Sequence, residues 1–197
     1  MPKNNRHGQA AILTDSDYSR IRKYLQSPRH RLLFDILRYT GERVGAIVQL
    51  EVGDVYFDPQ ACVPHDWITF RSKTRKADPS GNRQTRQVPV NPCLKESLAN
   101  FRYPSAAGWL FPARIHCERH ITIHGAAWVL NRAIARAALD SKGISTHSFR
   151  RTLITKLHEN GCDSRLIQEI TGHKDLRSLQ RYIEIDPKRV KEAIDLV

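Results

Sequence analysis

Residues 146–182 read THSFRRTLITKLHENGCDSRLIQEITGHKDLRSLQRY. Gly161 and Gly172 divide this stretch, and the apolar spacing predicts helices over 146–160, 163–171 and 175–184. His147 and Arg150 stand three apart, so they share one face of a helical turn. His173 follows a glycine, and Tyr182 comes nine residues after it. Taken singly, each has an ordinary explanation. A lone tyrosine usually packs in a core, and lone basic residues are usually solvated. The rest of the chain decides between these explanations and a site.

Upstream, Thr14 and Asp17 have the spacing of a helix cap with an acid in the first turn. The helix that follows presents Tyr18, Ile21 and Leu25 on one face. Pro28 suits the first turn of a second helix, which carries Leu32, Leu33, Ile36 and Leu37 and ends at Gly41. A short helix over 43–50 holds Val44, Ile47, Val48 and Leu50. The segments DVYFD, DWITFRS and RQVPVN are β-branched and aromatic between Pro, Gly, Asp and Asn, and read as three short strands. ADPSGN forms the turn between the second and third. Further helices are expected over 92–102, 122–140 and 187–196. The fold class is α+β: mostly α-helical, with a small three-stranded antiparallel sheet. Residues 1–13 read as a flexible basic leader, and 14–197 as a single domain.

Two more pieces join the opening stretch. TGERVGAIVQLEVGD at 40–54 puts Arg43 just past a helix end, and SKT at 72–74 puts Lys73 at the end of the second strand. Arg43, Lys73, His147–x–x–Arg150, then Gly172–His173 with Tyr182 nine residues on, resemble in order and spacing the tyrosine recombinases, the phage-integrase-type site-specific recombinases. The match runs from Thr14 to about residue 194. Arg75 and Lys76 compete with Lys73 for its place in the pattern.

The resemblance implies DNA strand breakage and rejoining through a 3′-phosphotyrosyl intermediate, with no cofactor and no metal. A phosphodiester repels nucleophiles by its charge, and guanidinium forks match its oxygens at any working pH. Arg43 and Arg150 would neutralise the developing transition-state charge. Tyr182 would attack, and since a phenol has pKa about 10, its proton needs an acceptor. His147 fits that general base. Lys73 would protonate the leaving 5′-hydroxyl, and His173 would hydrogen-bond the phosphate. The phosphotyrosyl ester conserves the bond energy, so no ATP loop of the G-x-x-x-x-G-K type is needed.

Members of that family commonly carry an acid three residues after the first arginine, where this chain has Ala46; Glu42 is the candidate substitute. Arg151 replaces a common histidine, a change read as neutral. The family's helical DNA-clamping domain of about 100 residues would not fit in 13. The expectations are therefore weak DNA binding alone, action with a partner that supplies a clamp, or a shortened relative. Assembly as a homo-oligomer on DNA is expected, with residues 187–197 docking in trans. Two other readings stand beside recombination. One is type IB topoisomerase-like relaxation; the other is a catalytically idle DNA-binding module.

Charge points to the same partner independently. Thirty-two Lys and Arg against twenty Asp and Glu give +12, a field that attracts polyanions, nucleic acid commonest among them, although a basic enzyme or a ribosome-associated protein would carry the same excess; the resemblance makes that partner double-stranded DNA. Residues 71–86 hold six basic side chains and one acid. Arg71, Arg75, Lys76, Arg83 and Arg86 from this stretch, with Arg132 and Arg136, are expected to grip backbone phosphates. The four cysteines lack C-x-x-C spacing and are expected to be reduced thiols. His116, Cys117, His120 and His124 lack a second well-spaced half, so no metal site is expected there. No apolar run is long enough to span a membrane and no secretory leader appears, so a cytoplasmic, nucleoid-associated protein is expected.

Overall fold

The computed structural model describes residues 10–75, 77, 80–102, 107–173, 176–180, 182, 190–191 and 194–195. Helix α1 (Asp15–Tyr24) opens on the capping box expected: Thr14 accepts from the Asp17 amide while the Asp17 carboxylate accepts from the Thr14 amide. Such a cap stabilises a helix by about 1 kcal/mol. Helix α2 (Pro28–Thr40) starts on its proline and stops at Gly41, which takes the left-handed conformation at φ 58°. A β-carbon there would lie 2.6 Å from Leu153 Cδ2, so both backbone conformation and space demand glycine.

Helix α3 (Val44–Ile47) is a single turn, shorter than the sequence suggests. Strands β1 (Tyr56–Asp58), β2 (Val63–Pro64), β3 (Trp67–Phe70) and β4 (Arg86–Pro89) follow. They form two separate two-stranded antiparallel ladders, β1–β2 and β3–β4, and not one three-stranded sheet. The reason lies in Val63–Pro64, too short to read as a strand. It pairs back on β1 with a register shift, and proline cannot donate to a further ladder. Helices α4 (Pro92–Ala99), α5 (Ile123–Arg136), α6 (Thr146–Glu159), α7 (Ser164–Thr171) and α8 (Leu176–Gln180) follow among the described residues. The expected helix over 187–196 lies largely outside the described residues.

Helix α6 is the buried centre. It packs on α2 and α7, with Phe149 stacked on Phe34 at 5.7 Å and edge-on to Tyr18 at 5.8 Å. Truncating such a fully enclosed ring costs about 3–5 kcal/mol, so this contact fixes the height at which α6 presents His147 and Arg150. A second, smaller apolar cluster joins Ile154 of α6, Ile167 of α7 and Leu179 of α8, with Tyr182 packed against it.

The expected leader needs a correction at its last residues. Ala11 and Leu13 are buried. The Ala11 amide donates to Gly143 O, the Leu13 amide to Thr152 Oγ1, and Arg151 Nη1 to Ala10 O. Arg151 thus binds the incoming chain, and residues 10–13 belong to the folded unit. The run Ala11–Ile12–Leu13 is apolar throughout and carries no alternation, so the sequence alone did not mark which of its residues are buried. Among the described residues, no helix is long and apolar enough to cross a membrane.

Candidate active site

An open pocket of about 430 Å³ lies where the α2–α3 turn, the turn after β3, the first turn of α5 and the start of α6 meet. Arg43, Lys73, His147 and Arg150 all line it. Arg43 is the residue before α3, delivered there by the left-handed turn at Gly41. Lys73 is exposed in the 3-10 turn Ser72–Thr74 directly after β3. His147 is exposed in the first turn of α6, and Arg150 lies buried one turn further in.

Arg150 is fixed by backbone. Its Nη1 donates to Gly41 O at 2.7 Å and its Nη2 to Thr171 O at 2.8 Å. Burial draws the guanidinium down to about 10, and the nearby Arg43 charge adds to that fall. It remains charged at neutral pH, so it offers a permanent cation inside a water-poor wall.

His173 sits on the same hub. Gly172 ends α7 in the left-handed conformation, φ 64°, and a β-carbon there would meet Arg75 Nη2 at 2.6 Å. The turn folds His173 back, so that its Nδ1 is 2.7 Å from Thr171 Oγ1. The Thr171 hydroxyl spends its one proton on Ile167 O at 2.6 Å, so it must accept from the histidine, and Nδ1 carries the hydrogen. Nε2 is left as the other functional nitrogen, 3.1 Å from Arg150 Nη2. The Tyr182 ring lies 5.7 Å from the His173 ring, centroid to centroid. The six expected catalytic residues therefore fall around one place: four line the pocket, His173 touches Arg150, and Tyr182 packs beside His173.

The expected phosphate-gripping residues divide. Arg86 is a correction: it is buried, with Nη1 donating to Glu42 Oε2 at 2.7 Å and to Thr171 O at 2.9 Å, and Nη2 to Ile170 O. Arg71 is turned inward as well, onto Glu51, Asp54 and Gln49 O. Arg75 lies against Glu42 at 3.4 Å and lines the pocket wall. These three cations are committed to the fold, because their neighbours supply acceptors that the linear charge pattern does not reveal. Arg83 is exposed, donates to Lys73 O at 3.0 Å and lines the pocket. Lys76 lies outside the described residues. Arg132 stacks over Trp128 at 4.7 Å, and with Arg136 it lines a different groove of about 670 Å³ along the side of α5.

The carboxylate question has a clear geometric answer. Ala46 is buried in the pocket wall, and among the described residues Glu42 is the one acid lining it. Thr171, whose hydroxyl and carbonyl serve His173, Arg86 and Arg150, was missed at the sequence level; its place just before Gly-His was the available signal. The His116–His124 loop spends its groups locally, with His116 against Glu118 and His120 edge-on to Trp109. Among the described residues, no three His, Cys, Asp or Glu side chains are grouped to hold a metal.

A model of the phage integrase family matches residues 11–189. The tyrosine recombinase XerC of Pediococcus pentosaceus is 29% identical over 178 residues, which cover 85% of this chain and 54% of the relative. The XerC of Erythrobacter litoralis is 31% identical over 165 residues, covering 83% of this chain and 48% of the relative. The chain thus spans about half the length of these relatives. Among solved structures, XerA recombinase superposes with a TM-score of 0.73 at 22% identity, over 100% of this chain and 66% of that one. The catalytic domain of bacteriophage HP1 integrase gives 0.64 at 22% identity, over 95% of both chains. Similarity at this level establishes a shared fold.

Proposed function

The chain belongs to the phage integrase family, and from that premise we propose that it is the catalytic portion of a site-specific recombinase that breaks and rejoins double-stranded DNA. The observation that carries this reading is the convergence of Arg43, Lys73, His147 and Arg150 on one pocket, with His173 against Arg150 and the Tyr182 ring beside His173. The scissile phosphate would sit between Arg43 and Arg150, its charge met by two guanidinium groups. Tyr182 Oη attacks phosphorus and gives its proton to His147. The bond from phosphorus to the 5′-oxygen breaks, and Lys73 protonates that oxygen. His173 would add a hydrogen bond to the phosphate. Reversal with a different 5′-hydroxyl rejoins the strand without external energy. Homo-oligomeric assembly on DNA, and a clamp provided by further protein, belong to the same proposal.

The test is a duplex library nicked just 3′ of each candidate cleavage point, incubated with the protein in EDTA. The short leaving strand diffuses away, so a covalent protein–DNA species resistant to detergent accumulates. Absence of that species for every duplex would leave the idle binding module as the reading. Relaxation of supercoiled plasmid without exchange between paired sites would instead mark type IB-like activity.

Binding should be dominated by phosphate contacts. The apparent association constant is expected to fall by about 0.9 log units per log unit of salt for each phosphate neutralised. Arg83→Ala, which removes an exposed pocket-edge cation, should lower that slope by about one contact, whereas Arg86→Met should leave it unchanged. A salt titration of duplex binding decides both.

A further inference from the structure

Thr40, Gly41, Ile170 and Thr171 offer backbone carbonyls to two buried guanidinium groups. Arg150 takes Gly41 O and Thr171 O. Arg86 takes Thr40 O at 3.4 Å, Thr171 O at 2.9 Å, and Ile170 O. Thr171 O is therefore shared by both. The end of α2, which leads into Arg43, is tied in this way to the end of α7, which leads into His173, and to strand β4, whose hairpin carries Lys73.

Four arginines, 43, 75, 86 and 150, crowd this region. Glu42 answers them from their midst. Its side chain is 1% exposed; Oε1 accepts from the Arg43 amide at 2.8 Å, and Oε2 accepts from Arg86 Nη1 at 2.7 Å and faces Arg75 Nε at 3.4 Å. A buried cation without a counter-ion is strongly unfavourable. Burial already draws Arg86 down to about 10, and the Glu42 charge works against that fall.

We infer that Glu42 and Arg86 form a positioning pair that holds Arg43, Arg150 and His173 in register for the phosphate. Glu42 holds Arg86 in the interior and offsets the charge of Arg75 at the pocket wall, so Arg43 and Arg150 are kept for the substrate. Arg86, so held, fastens the α7 end against the Gly41 turn. The inference rests on the recombinase reading of the preceding subsection, and neither residue touches the reacting atoms in it.

The test is a double-mutant cycle of Glu42→Gln and Arg86→Met, read by melting temperature, by duplex affinity and by the single-turnover rate of covalent adduct formation. Glu42→Gln strands a buried guanidinium, so its melting temperature falls, and its adduct rate is expected to drop about 10- to 100-fold with duplex affinity within about threefold. The double variant removes the stranded charge but leaves the carbonyls of Thr40, Ile170 and Thr171 without Arg86, so its melting temperature should recover only in part while its rate stays low. Recovery of the rate along with the melting temperature, or a wild-type rate in Glu42→Gln, would overturn the proposal. If Glu42→Gln does not fold, the double variant is compared with wild type directly: a low rate supports the pair and a wild-type rate rejects it. If wild-type protein forms no adduct, the recombinase reading fails separately. The pair is then tested by nuclear magnetic resonance: displaced Arg150 Nε–H and His173 ring signals in the double variant support it, and unmoved signals reject it.

Discussion

Tyr182→Phe will reduce covalent adduct formation by at least about 10⁴-fold, because it deletes the oxygen proposed to attack and nothing else. The phenyl ring keeps its place beside His173 at 5.7 Å and its packing against Ile154, Ile167 and Leu179. Duplex affinity should therefore stay within about threefold and the melting temperature within about 2 °C. Detergent gels with the nicked duplex measure the first quantity. Undiminished adduct in the phenylalanine variant would assign the nucleophile to another residue.

Arg150→Ala will show a double loss that Arg43→Ala will not. In the proposed site both remove a guanidinium from the phosphate, so each should slow adduct formation by about 10²–10³-fold. Arg150 also satisfies Gly41 O and Thr171 O in the interior. Unpaired buried polar groups cost about 1–3 kcal/mol each. For a chain of this size that corresponds to a fall in melting temperature of about 4–24 °C. Arg43 is half-buried at the pocket wall, and its alanine variant should melt close to wild type. Equal thermal losses in the two variants would show that the carbonyl hub is not what holds the Gly41 turn to α7.

The sequence was most informative where physics is local. Thr14 with Asp17, Pro28, and glycine at 41 and 172 act through backbone dihedrals and neighbouring amides, and the structure puts helix ends at each. The spacing from His147 to Arg150 was legible because a helical turn makes it a distance. Arg86 was not. Its expected partner was DNA, yet its actual partners lie 44 and 85 positions away along the chain. A charge count along 71–86 cannot distinguish a solvated cation from one whose acceptors arrive only on folding. The strand ladders failed for a related reason. Cys62 adopts a left-handed φ of 56° before the two-residue β2, and so short a segment has no periodicity to read.

Tyr182 belongs to the small cluster of Ile154, Ile167 and Leu179, apart from the large core that seats Phe149 beside Arg150. Each enclosed aliphatic side chain contributes about 1.5–3 kcal/mol of burial, so the residue proposed as nucleophile packs on a cluster that contributes far less burial than the large core. Proteins open piecewise, and lightly anchored pieces open far more often than the molecule unfolds. Under the proposed function, the chemistry would be divided between two energy scales. The cations would share the permanence of the large core, whereas the attacking group would depend on the contacts of one satellite cluster. An event that strengthens or weakens those few contacts would then set when that proposed cleavage takes place.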